Sequence, residues 1–192
     1  RVLFRSVDIN GLLDREKIYG YDDDSERFLS FQIAVLHWVN SWQHKPDIIH
    51  CHDHHTALIP FMMQHCYVFK QNLSLVKTIF TIHNAQYQGW MGWDKSYYLP
   101  AFDTYKSGML DWKNTINPLA SAVKCAWRVT TVSQSYMNEL SSNSNGLEEL
   151  FEYEKGKCIG ILNGIDNDVW NPEEDTYLED RKSTRLNSSH TD

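Results

Sequence analysis

Short apolar runs that stop abruptly at polar residues are the main pattern in this chain. One run begins at Pro46 and stops at His52 and Asp53, and a second run stops at His83 and Asn84. Runs of this length between helix or turn signals are typical of buried parallel strands. Because open α/β sheets bind ligands at the carboxyl ends of their strands, we expect these polar residues to form the rim of a pocket.

A helix is predicted before the first run. Acidic residues at 22–26 favour a helix start, and Asp23 and Glu26 have the spacing of a capping box. The apolar positions that follow fit one helical face as far as Trp42. We therefore expect Trp38 and Trp42 to be core residues, together with the strand residues Ile48 and Ile49.

The same alternation continues through the rest of the chain. We predict, in order, a helix over 56–67, a turn at 71–74, a strand over 77–82, a long loop over 84–106, a helix over 119–126, a strand over 128–132, a helix over 133–140, a short helix around 147–151 and a strand over 157–162. Helices that alternate with strands indicate an α/β domain with a parallel sheet. The long loop is expected to be functional, since structureless loops of that length are uncommon in compact domains.

Composition narrows the class of protein. The chain has 192 residues, 42% of them hydrophobic, and a formal charge of −7, which argues against a nucleic-acid partner. No apolar run is long enough for a membrane span. The widely spaced cysteines, Cys51, Cys66, Cys125 and Cys158, are expected to be reduced and buried, as in a cytoplasmic protein. Aromatic residues make up 13%, which suits a carbohydrate-handling surface but also an aromatic core.

The two ends of the chain do not continue the pattern. Reverse translation of Asp180–Arg185 gives an oligonucleotide whose reverse complement encodes residues 1–6, and it resembles a common sequencing-library adapter. We therefore predict that 1–6 and 180–192 are translated adapter and that 7–179 is the protein proper, truncated at both ends. The alternative is a short first strand and a disordered tail.

Residues 50–55 contain four histidines and Asp53, which raises the possibility of a metal site. Strand periodicity places His50 and His52 on one face, with Cys51 on the other. Neither HExxH nor a CxxC pair accompanies them, so we favour a substrate-facing rim over a zinc site or over polar residues without a function. The chain also has no GxGxxG or GxxxxGK[ST] loop, and no cofactor is expected.

Each candidate residue also has a structural explanation. Asp53 suits a helix N-cap, His83 suits a histidine bonded to the backbone, and Asn163 with Gly164 is first a turn signal. From the residues alone, the prediction is an α/β domain whose strand ends form a polar pocket for a hydroxyl-rich ligand.

Several ordered motifs resemble those of one enzyme family. Pro46–His55, Thr81–Gly89, Val129–Ser133, Gly160–Asp166 and Trp170–Pro172 look like the corresponding segments of bacterial glycogen synthase and plant starch synthase. The resemblance covers nearly all of the chain between its two atypical ends. It implies a partial N-terminal domain of a GT-B glycosyltransferase, with a Rossmann-like parallel sheet and flanking helices.

The resemblance also implies a reaction and a set of roles. Glucose would pass from ADP-glucose to the non-reducing 4-hydroxyl of an α-1,4-glucan, with retention and without a catalytic metal. By motif, His83 would contact the transferring glucose, Asp53 would support the pocket, Asn84 would hold the strand-end geometry and Asn163 would line the donor site. Tyr87 would stack on glucan rings, or else pack in the core.

The chain departs from the family pattern in three respects. The Lys-Thr-Gly-Gly-Leu segment that binds the nucleotide diphosphate does not occur in it, and the C-terminal domain lies outside the resemblance. His54 stands where many members carry Trp. We therefore expect the isolated chain to be inactive. The alternatives are a non-catalytic carbohydrate-binding module and another GT-B enzyme with a different donor or acceptor.

Overall fold

The computed structural model describes residues 13–171 and 176–177. The chain divides into two compact units, Arg1–Ile161 and Leu162–Asp192, and the elements below belong to the first. The predictions for residues 1–6 and 180–192 fall outside the described residues.

The strands confirm the predicted parallel sheet. In chain order they are β1 (Ile48–His52), β2 (Lys77–Ile82), β3 (Asp111–Trp112), β4 (Thr115–Ile116), β5 (Arg128–Thr131) and β6 (Cys158–Gly160). The main sheet has the order β1-β2-β5-β6, and all of its neighbours are parallel. This order brings the carboxyl ends of β1 and β2 side by side.

Helices connect and flank these strands. They are α1 (Asp24–Asn40), α2 (Ile59–His65), α3 (Tyr67–Leu73), α4 (Pro118–Cys125), α5 (Gln134–Leu140) and α6 (Glu148–Glu154), with 3-10 turns at His54–Thr56, Trp93–Tyr98, Thr104–Met109 and Lys155–Lys157. The side chain of Asn117 caps α4 by accepting a hydrogen bond from the Ala120 N–H. The side chain of Ser133 caps α5 by accepting a hydrogen bond from the Tyr136 N–H. These two helices correspond to the helices predicted over 119–126 and 133–140.

Helix α1 differs from its prediction in its cap and in its buried face. Asp23 forms no capping bond and instead accepts a hydrogen bond from Arg15 at 2.7 Å. The buried residues of α1 include Leu29, Gln32, Leu36 and Val39, whose spacing follows a single helical stripe.

The prediction that Trp38 and Trp42 are core residues is wrong. They are 42% and 38% exposed and pack edge to face on each other, with ring centroids 5.0 Å apart. They lie beside the buried stripe rather than on it. Ile48 is also misassigned, because it begins the edge strand β1 and is 46% exposed, whereas Ile49 is partly buried.

Three local predictions need correction. The helix predicted over 56–67 is broken, because Cys66 adopts an extended ψ of 128° between α2 and α3. The predicted turn at 71–74 is largely the end of α3. The β3–β4 hairpin was missed; its turn residues Lys113 and Asn114 both have positive φ, as a type I′ turn requires, but they lack the usual Asn-Gly signal.

The core lies between the sheet and its helices. Fully buried aromatic residues come from β2, α2, α3 and α6, namely Phe80, Phe61, Phe69 and Phe151. All four cysteines are free thiols, and Cys158 is the one that is only partly buried. In the described part of the chain, no helix is both long enough and apolar enough to cross a membrane.

Candidate functional site

The ends of β1 and β2 are joined through Asp53. Its backbone N–H donates to the Thr81 carbonyl at 3.0 Å, and its Oδ1 accepts from the His83 N–H at 2.8 Å. The structure thus brings together Asp53 and His83, which are thirty residues apart in sequence. The Asp53 carboxylate holds the backbone of β2 where that strand ends.

Asp53 has a backbone conformation that is unusual for a residue with a side chain. Its φ is 54° and its ψ is −179°, a region that is populated almost only by glycine. It stands at the N-cap position of the His54–Thr56 turn, yet its side chain makes no capping bond there. Strain of this kind costs on the order of 1–3 kcal/mol and is concentrated at functional sites.

A row of histidines lies on one face of the strand ends. His52 Nδ1 and His83 Nε2 are 3.1 Å apart, within hydrogen-bond distance. The rings of His50 and His52 stack with centroids 4.2 Å apart, while Cys51 is buried on the opposite face. This arrangement confirms the alternation that was predicted from the strand period.

The row continues into the sheet through two threonines. His50 Nε2 lies 2.7 Å from Thr81 Oγ1, which lies 2.6 Å from the buried Thr130 Oγ1. These bonds connect β1, β2 and β5 across their side chains. They give the base of the histidine row a fixed position.

Asn84 begins the loop that follows β2. Its Oδ1 accepts from the Gln86 N–H at 2.9 Å, which forms an Asx turn. The next residue, Ala85, donates its N–H to the Tyr136 hydroxyl at 2.9 Å. Hydrogen bonds to side chains therefore fix the backbone at the start of the loop. Further along the loop, the Tyr87 side chain is 60% exposed.

Gln88 holds the same loop from inside the protein. It is 2% exposed, and its Nε2 lies within hydrogen-bond distance of the carbonyls of Ala85, Ser144 and Asn145. Its Oε1 accepts from Asn117 Nδ2 at 2.7 Å. We call these five residues the amide cluster. Gln88 was not among the predicted site residues, since its partners Asn117, Ser144 and Asn145 lie far away along the chain.

A pocket of about 570 Å³ lies beside the strand ends. It is lined by the start of α1 with the loop before it, by residues 53–58 and by the loop 84–91. Of the four predicted rim residues, Asp53 and Asn84 line it, and Tyr87 lines it as well. His52 and His83 are not among its lining residues and belong to the histidine row instead.

His54 and His55 form part of the pocket wall. Their rings stack with centroids 3.8 Å apart, and Phe28 packs edge-on against His55 at 4.4 Å. His54 Nδ1 and His55 Nε2 are buried and have no hydrogen-bond partner within the described residues. The described residues contain no group of three or more side chains suited to a metal.

These two histidines are neutral at neutral pH. Burial, followed by the neighbouring His55, lowers the pKa of His54 to about 4. Burial also lowers the pKa of His55. A wall of neutral imidazoles and aromatic rings, with a carboxylate and an amide at the rim, suits a neutral hydroxyl-rich ligand. The sequence showed the histidines, but no periodicity indicated that Phe28 would face them.

Asn163 is the one predicted site residue outside the first unit. It is exposed and belongs to the second compact unit, which begins at Leu162. Its role therefore stays a prediction.

Comparison with known proteins places this geometry in a family. A family model for the starch synthase catalytic domain matches residues 1–153. A glycogen synthase from Flavobacterium johnsoniae is 57% identical over 90% of this chain and 36% of that protein. A glycogen synthase from Streptococcus agalactiae is 39% identical over 92% of this chain and 38% of that protein.

A solved structure agrees with the sequence relatives. The catalytic domain of starch synthase IV from Arabidopsis thaliana superposes with a TM-score of 0.70 and 33% identity, over 86% of this chain and 35% of that one. The chain thus spans about a third of the length of the relatives that it matches. With this fold, and with the family model matching most of its length, the chain belongs to the starch synthase catalytic domain family.

Proposed function

We propose that this chain is part of the N-terminal domain of a retaining glucosyltransferase. The complete enzyme would move glucose from ADP-glucose to the non-reducing 4-hydroxyl of an α-1,4-glucan, without a catalytic metal. One observation carries the proposal: Asp53, Asn84 and Tyr87 line a pocket where two parallel strands end, in a chain 57% identical to a glycogen synthase. We assign residues 7–179 to this domain.

The choice of donor and acceptor has separate support. The starch synthase IV structure is described as bound to ADP and acarbose, which favours a nucleotide-sugar donor and a glucan acceptor here. The neutral wall of the pocket also favours sugar hydroxyls over a charged ligand. ADP-glucose is proposed ahead of UDP-glucose on family resemblance alone.

We assign His83 and Asp53 to the reacting centre. A transferring glucosyl group develops positive charge, which fixed dipoles and hydrogen bonds stabilise without a covalent nucleophile. His83 would contact the transferring glucose near its 6-hydroxyl. Asp53 would hold His83 in place, since its Oδ1 accepts the His83 N–H at 2.8 Å.

The remaining candidates would bind substrate. Asn84 would keep the strand end and its loop in register through its bond to Gln86. Tyr87, on the pocket rim and largely exposed, would stack on glucan rings. Asn163 would line the donor sugar site in the complete enzyme.

The isolated chain is expected to be inactive. It spans about a third of the relatives' length, and the nucleotide-binding Lys-Thr-Gly-Gly-Leu segment does not occur in it. Incubation with labelled ADP-glucose and glycogen should therefore give no incorporation. Measurable transfer by these 192 residues would contradict this part of the proposal.

The test of the function itself needs the complete protein. Sequencing the source DNA across both ends of this segment would supply it, and glucose incorporation would then be measured with ADP-glucose and with UDP-glucose. We expect transfer with retention, and a loss on the order of 10²-fold or more in His83→Ala, as when a transition-state donor is removed. Glucan binding without transfer, unchanged in His83→Ala, would instead support the carbohydrate-binding alternative.

A further inference from the structure

The His52 ring is the side-chain partner of the His83 ring. We propose that His52 is a positioning residue, which determines both the free nitrogen of His83 and whether that nitrogen donates or accepts. The proposal rests on the proposed function only for the identity of the ligand that His83 meets. The contact itself, His52 Nδ1 to His83 Nε2 at 3.1 Å, belongs to the described structure.

A hydrogen bond between two neutral imidazoles needs one proton between them. One ring donates and the other accepts, and because the contact joins Nδ1 of His52 to Nε2 of His83, the two rings carry the same tautomer, either both Nδ1–H or both Nε2–H. Because Nε2 of His83 is engaged by His52, its Nδ1 is the nitrogen left for a ligand. If His52 donates, Nδ1 of His83 carries the proton and acts as a donor; if His52 accepts, that nitrogen is an acceptor.

The backbone of both histidines is held independently of this bond. The His83 N–H donates to Asp53, and the His52 N–H donates to Thr56 Oγ1 at 2.6 Å. The main chain therefore fixes where the two Cα atoms lie. The orientation of the exposed His83 ring depends on His52, which is its hydrogen-bond partner within the described residues.

The His52 ring is in turn held from behind. It stacks on His50 with centroids 4.2 Å apart and an angle of 34° between the planes. His50 is bonded through Nε2 to Thr81, and Thr81 is bonded to the buried Thr130. A chain of contacts thus runs from the interior of the sheet to the His83 ring.

Such a support matters because a sugar hydroxyl can either donate or accept, so the tautomer of His83 decides which of the two the hydroxyl does. A ring with a free choice of tautomer and rotamer would spend part of its time in the wrong state, which lowers the rate of a reaction that depends on alignment. A histidine that binds a metal is oriented in the same way, through a hydrogen bond at its second nitrogen.

The test is made by NMR on the 192-residue chain with ¹⁵N-labelled histidines, at about pH 8, well above the ordinary histidine pKa of about 6.5. Long-range ¹H–¹⁵N spectra distinguish protonated from unprotonated ring nitrogens. We compare the unchanged chain with His52→Phe, which keeps a ring against His50 but removes the nitrogen. His52→Asn places an amide near the position of Nδ1. His44→Ala, a change at an exposed histidine, is the control.

In the unchanged chain and in His44→Ala, we expect His83 to show one tautomer, with His52 showing the same one, either Nδ1–H in both rings or Nε2–H in both. In His52→Phe the His83 signals should become averaged, and in His52→Asn the single tautomer should return. Backbone amide spectra report folding in every variant. A single His83 tautomer that survives in His52→Phe would overturn the proposal. So would averaged His83 signals in a natively folded His52→Asn chain. Neither readout depends on transferase activity, so failure here is distinct from failure of the proposed function.

Discussion

The amide cluster and the His54–His55 pair lie on either side of one loop and differ in how their polar atoms are satisfied. Gln88 turns inward, and both ends of its side-chain amide have partners. Gly89, the next residue, lies against the His54 ring in the pocket wall, where two imidazole nitrogens are buried without partners in the described residues. Adjacent residues thus belong to opposite kinds of environment.

The difference separates residues that stabilise the loop from residues that the loop presents to a ligand. A buried polar group costs stability unless it is bonded, so the Gln88 amide at the centre of the amide cluster contributes to folding only because both its Nε2 and its Oε1 are bonded. Unpartnered nitrogens in a pocket wall carry that cost in the absence of a ligand. Substitutions in the amide cluster should therefore lower the free energy of unfolding. Substitutions on the pocket side should have smaller effects on stability and should affect ligand binding instead.

The largest effect is expected for Gln88→Ala. The change creates a cavity and leaves Asn117 Nδ2 and the carbonyls of Ser144 and Asn145 without their partner. We expect a loss of about 3 kcal/mol in the free energy of unfolding, measured by urea denaturation. Gln86→Ala, at an exposed neighbouring position, is the control and should change it by less than about 0.5 kcal/mol. Equal losses of unfolding free energy in the two variants would show that the bonds of the Gln88 amide do not contribute specially to stability.

Gly89→Ala should have the next largest effect. Gly89 has φ +73°, and an added Cβ would lie 3.0 Å from the His54 ring, so backbone strain and crowding act together. We expect a loss of about 1–3 kcal/mol in the free energy of unfolding. Gly108→Ala is the matched control, since an added Cβ there meets nothing within 4 Å. If both variants unfold at the same urea concentration, the pocket wall does not need a glycine at position 89.

The fold could be predicted from sequence where local periodicity and packing agree. β2 has its predicted bounds, and the starts of α4 and α5 follow from Asn117 and Ser133, whose capping chemistry is local. The exposure of Trp42 was not predictable in this way, because hydrophobicity does not say which side of a helix the sheet will cover. The outcome there depends on tertiary contacts.

The site was only partly predictable for the same reason. Strand ends placed Asp53 and His83 together because parallel neighbours bring their carboxyl ends to one edge. The partners of Gln88 and the packing of Phe28 on His55 join segments that are far apart in sequence. No local pattern encodes such pairs, and the sequence could therefore predict Asp53 and Asn84 at the pocket but not the residues of its wall.

A smaller effect is expected from His54, and it depends on pH. Its pKa in the folded protein is about 4, below the unfolded value near 6.5, so protons bind preferentially to the unfolded chain. The unfolding free energy should thus be fully retained above about pH 6.5 and fall as the pH decreases towards 4. Since one pKa unit corresponds to 1.36 kcal/mol and solvent screens the pocket, we expect a loss of about 1–2 kcal/mol.

The measurement compares urea denaturation of the unchanged chain and of His54→Phe at several pH values. Phe keeps an aromatic ring against Phe28 and His55 but cannot be protonated. The difference between the two proteins should grow in favour of His54→Phe as the pH falls through this range. A difference independent of pH would mean that His54 titrates normally in the folded protein.

The smallest effect on stability is expected for Tyr87→Ala, although this residue lies next to Gln88. Tyr87 is 60% exposed and lines the pocket, so its removal should change the unfolding free energy by less than about 0.5 kcal/mol. Maltooligosaccharide binding, followed by NMR titration, should weaken about fivefold, because a stacking aromatic surface contributes about 1 kcal/mol. Tyr105→Ala, 94% exposed and outside the pocket lining, should change neither quantity. If Tyr87→Ala lowered stability and left binding unchanged, Tyr87 would have a structural role like that of the amide cluster. The proposal that one side of the loop binds the ligand would then be wrong.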